Sequence, residues 1–180
     1  SLPSRGLGDV YKRQGSKKGS LLATIDKTLT SAGSRLLLTW ISAPSKNQTV
    51  INKRLDAISC FYENEVLLGS LRDIIRTVPD IERALSRLSA DRAGPRDLIA
   101  IRNALSKTDI IKEVLLTENV GLSRIKDEFK RHIQDLDGYC SLVEILEKAL
   151  ADDPPILIRD GGYIAPGFNA ELDRLRNLKD

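Results

Sequence analysis

Residues 121–136 read GLSRIKDEFKRHIQDL. Leu122, Ile125, Phe129, Ile133 and Leu136 recur at helical spacing and, at 100° per residue, fall within an arc of about 80°. Arg124, Lys126, Asp127, Glu128, Lys130 and Arg131 cover the remainder. Opposite charges four residues apart, Arg124 with Glu128 and Asp127 with Arg131, suit a solvated helix face. A DNA-binding stripe would carry mostly one sign. This stretch predicts an amphipathic helix and an all-α fold.

The same periodicity extends outward in both directions. Leu36, Leu37, Trp40 and Ile41 mark a helix over 31–42 that stops before Pro44. Asn47 is placed to cap the next, whose Ile51, Leu55, Ile58 and Tyr62 form one stripe. By phase, Phe61 and Tyr62 read as core rather than as an aromatic wedge for DNA. A further helix is expected from about Glu63 to Arg76, with Leu67, Leu71, Ile74 and Val78 buried. Thr77-Val78-Pro79-Asp80 has the form of a capping box ahead of Ile81, Leu85 and Leu88. Pro95 fits the first position of a long helix carrying Leu98, Ile101, Leu105, Ile111 and Leu115. Leu142, Leu146 and Leu150 mark another, ended at Pro154-Pro155.

Beyond it the period changes. Ile156-Leu157-Ile158, the turn residues Asp160-Gly161-Gly162, and Tyr163-Ile164 predict a small β-hairpin near residues 156–165. Leu172, Leu175 and Leu178 then open a new helix near Ala170.

Composition narrows the function classes. The chain has 180 residues, 41% hydrophobic and 29% charged, with aromatics at 4%. Leu and Ile therefore supply the core, which favours packed helices over a sheet. Arg5, Lys12, Arg13 and Asp9 give the first fourteen residues two of the three net positive charges, leaving +1 for the rest. That near-neutrality does not mark a nucleic-acid surface. Cys60 and Cys140 form no CxxC pair and His132 is the only histidine, so zinc is not expected. Two reduced thiols of a cytoplasmic protein are the better reading than a disulfide. No apolar run reaches the ~20 residues that span a bilayer, and the first residues have no signal-peptide pattern.

Reactive motifs are absent from the sequence. There is no G-x-x-x-x-G-K-S/T, and GSKKGS at Gly15 has the wrong spacing for one. No G-x-S-x-G occurs, His132 stands alone on a mixed face, and the carboxylates sit beside Lys and Arg. No catalytic, cofactor-binding or metal residue is assigned, and nucleic-acid-binding residues are left open. An enzyme with an unfamiliar site is disfavoured because no His, Cys or paired acids cluster.

Residues 1–14, SLPSRGLGDVYKRQ, have no periodicity and resemble translated library adaptor sequence, the alternative being a natural basic tail. From Gly19 on, ordered pieces of sequence carry a second resemblance. They are Gly19-Ser20-Leu21-Leu22, Ile25-Asp26-Lys27-Thr28, Thr30, Gly33-Ser34-Arg35-Leu36-Leu37, Arg54-Leu55-Asp56-Ala57 and Pro79-Asp80-Ile81-Glu82-Arg83. Arg87-Leu88, Gly94-Pro95-Arg96-Asp97-Leu98, Ile158-Arg159-Asp160-Gly161-Gly162, Gly167, Glu171-Leu172-Asp173 and Leu175-Arg176 follow. In this order they resemble the core and lever region of the MutS family of bacterial DNA mismatch-recognition proteins.

The resemblance implies a partial protein. Residues 1–18 would be a disordered or artefactual tail and linker, 19–168 a helical core, and 169–180 the start of a lever helix leading to a clamp domain. It implies a role in mismatch repair, coupling an ATPase domain to a DNA clamp, with no chemistry in this region. Mismatched double-stranded DNA, homodimerisation, ATP and Mg would belong to the full-length protein, and no membrane is implied. A MutS-like paralogue acting on recombination intermediates shares the pattern. A free-standing helical scaffold that binds proteins is the alternative outside the family. The lever reading further expects an exposed apolar patch where other helices pack.

Overall fold

The computed structural model describes residues 20–117 and 127–178. The tail and linker over 1–18, together with Leu122, Ile125 and the Arg124–Glu128 pairing, lie outside the described residues. The chain divides into two compact units, residues 1–77 with 118–130, and residues 78–117 with 131–180.

The first unit contains α1 (Leu21–Ile25), α2 (Ser31–Ser42), α3 (Gln48–Tyr62) and α4 (Glu65–Arg76). Each starts on a residue with a short polar side chain that accepts a backbone N–H. Ser20 caps α1, Thr30 caps α2, Asn47 caps α3 and Asn64 caps α4. Such a cap satisfies a donor that the helix leaves unpaired, and is worth about 1 kcal/mol. Leu22, Leu67 and Leu71 are buried, and α3 packs on α4. The helix expected from Glu63 begins at Glu65, because Asn64 caps it and Glu63 ends α3. The Asn64 amide Nδ2 is buried and has no acceptor among the described residues.

The α3 stripe departs from expectation. Ile51, Leu55, Ile58 and Tyr62 are 38%, 54%, 57% and 80% exposed, so the core assignment of Tyr62 fails. Phe61 is only half-buried. Periodicity shows that a helix has an apolar side; it does not say whether that side is covered within the same chain.

The second unit contains α5 (Ile81–Ser89), α6 (Pro95–Thr117), α8 (Cys140–Ala149) and α9 (Ala170–Asn177), with α7 (Asp127–Gln134) entering it at Arg131. α6 packs on both α5 and α8. Ala84, Ile101, Ala104, Leu115, Ile133, Ala149 and Leu150 are buried. Small Ala84 and Ala104 lie inside while Leu85 and Leu88 stay exposed, which turns α5 from its predicted face. Ala at a buried position lets helix axes approach closely.

The capping box expected at Thr77 is not formed. Asp80 is the cap and accepts the Arg83 N–H at 3.2 Å, while the Thr77 hydroxyl donates back to Ile74 O at 2.7 Å, closing α4. Pro79 explains the shift: it disfavours the helical conformation at Val78, which would be the first helical residue after a cap at Thr77.

The expected β-hairpin is also absent. Among the described residues there is one isolated antiparallel bridge, Leu150 with Ile164, and no strand. Ile158–Asp160 forms a single 3₁₀ turn. Gly161 has φ 69°, ψ −168°, outside the left-handed helical region that a type I′ hairpin turn needs at both centres. The partner of Ile164 is instead the end of α8, where the Ala165 N–H donates to Ala149 O at 2.9 Å and the Ala151 N–H to Tyr163 O at 3.0 Å.

Candidate functional site at the helix corners

Most of the polar sequence pieces fall at corners between helices, where their side chains bond the backbone and one another. In the first unit, Asp26 follows α1. Its Oδ1 accepts the Thr28 hydroxyl at 2.6 Å and the Thr28 N–H at 3.1 Å, and its Oδ2 accepts the Ser34 hydroxyl at 2.8 Å. Thr30 Oγ1 accepts the Gly33 N–H at 3.0 Å. A Cβ at Gly33 would stand 3.1 Å from that same oxygen, so the corner favours glycine. One carboxylate thus joins the end of α1 to the first turns of α2. Nearby in sequence, the Arg54 guanidinium sits 3.8 Å from the Trp40 ring centroid, a cation–π contact tying α3 to α2.

The α5–α6 corner is built on Arg87 and Asp97. α5 ends with the Arg92 N–H on Arg87 O at 2.8 Å and the Asp91 N–H on Leu88 O at 3.1 Å, a Schellman pattern with Asp91 at φ 52°. The Gly94 N–H donates to Asp97 Oδ2 at 2.7 Å, and Arg87 Nε lies 3.1 Å from the same oxygen. Arg87 Nη2 also reaches Arg92 O at 3.3 Å. Asp97 stands in the first turn of α6, where a carboxylate reaches back to the capping residue's N–H and opposes the helix dipole. Pro95 is buried at the first position of α6, as its missing N–H permits. A Cβ on Gly94 would meet Ile156 O at 3.1 Å, so this glycine makes room for the passing 156–158 segment.

The corner before α9 is a turn. The Phe168 N–H bonds Ala165 O at 3.3 Å, with Pro166 and Gly167 (φ 85°) between, as a type II turn requires. Asn169 then caps α9 through the Leu172 N–H at 3.0 Å. The Gly167 N–H donates to Asp173 Oδ2 at 2.7 Å. Arg176 bonds Asp173 Oδ1 at 3.1 Å and Ile164 O at 2.9 Å.

These corners, read with the family comparison, decide what the sequence pieces are. A model of the family described as MutS domain III matches residues 5–179, nearly the whole chain. The chain belongs to the MutS domain III family. The DNA mismatch repair protein MutS of Roseobacter denitrificans is 46% identical over 98% of this chain. Those of Ruegeria sp. (strain TM1040) and Ruegeria pomeroyi are 44% and 43% identical over the same share. The chain spans about one fifth of the length of these relatives, 20% in each case. The match starts inside the segment that resembles adaptor sequence. Within this domain III chain, several residues that carried the resemblance, among them Asp26, Thr30, Asp80, Arg87, Asp97 and Asp173, serve as caps and corner bonds.

No group of three or more His, Cys, Asp or Glu able to hold a metal ion occurs among the described residues, and the sequence contains no phosphate-binding glycine loop. His132 is largely exposed, with Nδ1 3.8 Å from Asp135. Cys60 and Cys140 are both free thiols. The Cys140 thiol donates to Asp109 at 3.2 Å, and that bond and the carboxylate's charge push its pKa up. Burial does the same, more than the Glu63 charge, at Cys60. Both shifts disfavour the nucleophilic thiolate. Lys112 bonds Asp137, which holds that carboxyl below its ordinary range. No described helix is long and apolar enough to cross a membrane.

The roles of Arg87, Asp97, Asp173 and Arg176 were not assigned from sequence. The signals were present: an acid three residues after Gly94, and Asp and Arg three apart in the first helical turns after Gly167.

Proposed function

We propose that this chain is the mechanical body of a mismatch repair protein, a set of helices that couples an ATPase domain to a DNA clamp and performs no chemistry itself. The carrying observation is that Asp26, Thr30, Asp80, Asp97 and Asp173, among the polar residues of the resemblance, bond at helix corners, which fixes angles between neighbouring helices. Each close-packed unit with fixed corners moves as one and passes on displacement. The exposed α3 stripe supports the reading, because an apolar face of that size suits packing against another part of a longer protein. In this reading α9 begins the lever toward the clamp. ATP and Mg, mismatched duplex DNA and the second subunit engage other domains of a cytoplasmic full-length protein.

The test uses both the 180-residue chain and the full-length Roseobacter denitrificans relative. The chain should hydrolyse no ATP and bind duplex DNA only weakly, without preference for a mispair and with strong salt sensitivity. Replacing the relative's counterparts of Asp26 and Asp97 by alanine should leave its ATP hydrolysis and mismatch binding in place while impairing ATP-triggered release of DNA. Tight, mismatch-selective binding by the isolated chain would refute the proposal.

A further inference from the structure

The sequence contains two Asp-Gly pairs, Asp137-Gly138 and Asp160-Gly161, and the structure holds them differently. Such a pair can close on itself, because no side chain crowds the glycine nitrogen as it approaches the aspartyl carboxyl carbon. At the corner between α7 and α8, the Gly138 N–H donates to Oδ1 of the preceding Asp137 at 3.0 Å. The Asp137 side chain is thus folded onto the next nitrogen, as ring closure needs, and near-attack arrangements have about this separation. Both residues are exposed, and Gly138 has φ 92° with nothing within 4 Å of where a Cβ would stand. Gly161 is equally open, at φ 69°, so crowding does not separate the two pairs. The bonding does. The Gly161 N–H donates to Ile158 O at 3.1 Å, closing the 3₁₀ turn, and Asp160 Oδ1 faces Arg159 Nε at 3.7 Å. At the first pair Lys112 reaches over from α6 and bonds the other oxygen of Asp137, Oδ2. Its charge keeps that carboxyl ionised. An ionised carboxylate cannot shed an oxygen as water, so Lys112 opposes the closure that the backbone favours.

We infer that Asp137-Gly138 is a site of spontaneous isoaspartate formation, guarded by Lys112. The Gly138 nitrogen bonds Cγ of the protonated Asp137 carboxyl. The nitrogen's proton and the carboxyl OH leave as water, and a succinimide ring remains. Water then opens the ring. Opening at Cγ restores aspartate; opening at the α-carbonyl leaves the main chain running through Cγ, which is isoaspartate. No oxidant, reductant or cofactor enters either step. Isoaspartate has one more main-chain carbon and a carboxylate one carbon shorter, so the ion pair with Lys112 is lost. The α7–α8 corner then keeps its Cys140–Asp109 bond, at 3.2 Å, without the ionic link to α6 beside it. The product is a substrate for the class of enzymes that methylate isoaspartyl carboxylates.

The full 180-residue chain is incubated at pH 6 and 37 °C and mapped by peptide mass spectrometry with electron-based fragmentation, which distinguishes the two linkages. Isoaspartate should collect at 137 several-fold faster than at 160. In concentrated urea both pairs become the same solvated dipeptide, and the two rates should converge. Lys112→Met should speed the folded chain several-fold at 137, leave 160 unchanged, and have no effect in urea. Lys112→Arg keeps the charge and should stay near the unaltered rate. Gly138→Ala should nearly abolish the product at 137, while 160, read in the same digest, continues as before. Loss of fold in any variant would show as a rise at 160; the unaltered chain, folded against urea-treated, then decides alone. The site is refuted if 160 leads 137 in the folded chain, or if their ratio is the same with and without urea. The guard is refuted if Lys112→Met leaves the rate at 137 unchanged, or if Lys112→Arg speeds it as much as Met does.

Discussion

Asp97→Ala tests the corner reading most directly. The Asp97 side chain is 19% exposed and accepts the Gly94 N–H at 2.7 Å and Arg87 Nε at 3.1 Å. A hydrogen bond to a charged group contributes about 1.5–3 kcal/mol. Arg87 is 48% exposed, so its pairing is worth the surface value of about 0.2–1 kcal/mol. A carboxylate in the first helical turn adds about 0.3–1 kcal/mol. The substitution should therefore cost about 2–5 kcal/mol. With a urea m-value of about 2 kcal/mol/M, the midpoint should fall by about 1–2.5 M. Far-UV circular dichroism during urea unfolding measures it. Asp97→Asn retains an oxygen facing Gly94 but loses the charge, and should cost about half as much. In a double-mutant cycle with Arg87→Ala, the coupling should stay under about 1 kcal/mol. The reasoning fails if Asp97→Ala costs less than about 0.5 kcal/mol. It also fails if Asn and Ala are equivalent, because the retained acceptor would then have no value.

Four further outcomes follow from the same geometry. Asp91→Gly should stabilise by about 0.5–1 kcal/mol, a rise of about 1–4 °C in Tm by calorimetry, since Asp91 holds φ 52° where glycine is unstrained. On α3, Ile58→Gln should change stability by less than about 0.5 kcal/mol, whereas Leu71→Ala on α4 should cost about 2–4 kcal/mol; urea midpoints compare the two. Asp109→Asn should bring the Cys140 pKa down and quicken its alkylation by iodoacetamide at pH 8, followed by mass spectrometry, with Cys60 as the internal reference. Lys112→Met should move the Asp137 carboxyl titration, followed by NMR, up toward its ordinary value. The sign follows from linkage: Asp137 is depressed in the folded chain, so its contribution is present above the ordinary carboxylate pKa and is lost as pH falls through the folded value.

Helix class and several boundaries were legible because they depend on local chemistry. Asn47 caps α3, Pro95 opens α6 and the turn residues before Ala170 precede α9, each through bonds spanning a few residues. The failures involve longer reach or rival caps. Thr77 and Asp80 both suit an N-cap, and only the placement of Pro79 decides between them. Ile164 suits a hairpin, but its neighbours bond the end of α8, about fourteen residues upstream by chain. The α3 stripe has the period of a core face, yet what covers a face is a tertiary matter. The corner networks were half-visible: the residues stood out as a family pattern, but Arg87 meeting Asp97, or Arg176 meeting Ile164 O, needs the fold.

The division of labour between corners and faces bears on what kind of part this chain can be. Apolar faces such as Leu67 with Leu71, or Ile101 with Leu115, hold helices together without fixing one angle, since hydrophobic attraction has no direction. Hydrogen bonds do have direction. Asp26 sets the turn from α1 to α2, and Asp97 with Arg87 sets the turn from α5 to α6. A pair of helices whose angle is fixed by both terms, such as α5 with α6, is stiffer than one held by either alone, because a change of angle must break the corner bonds and disturb the packed face together.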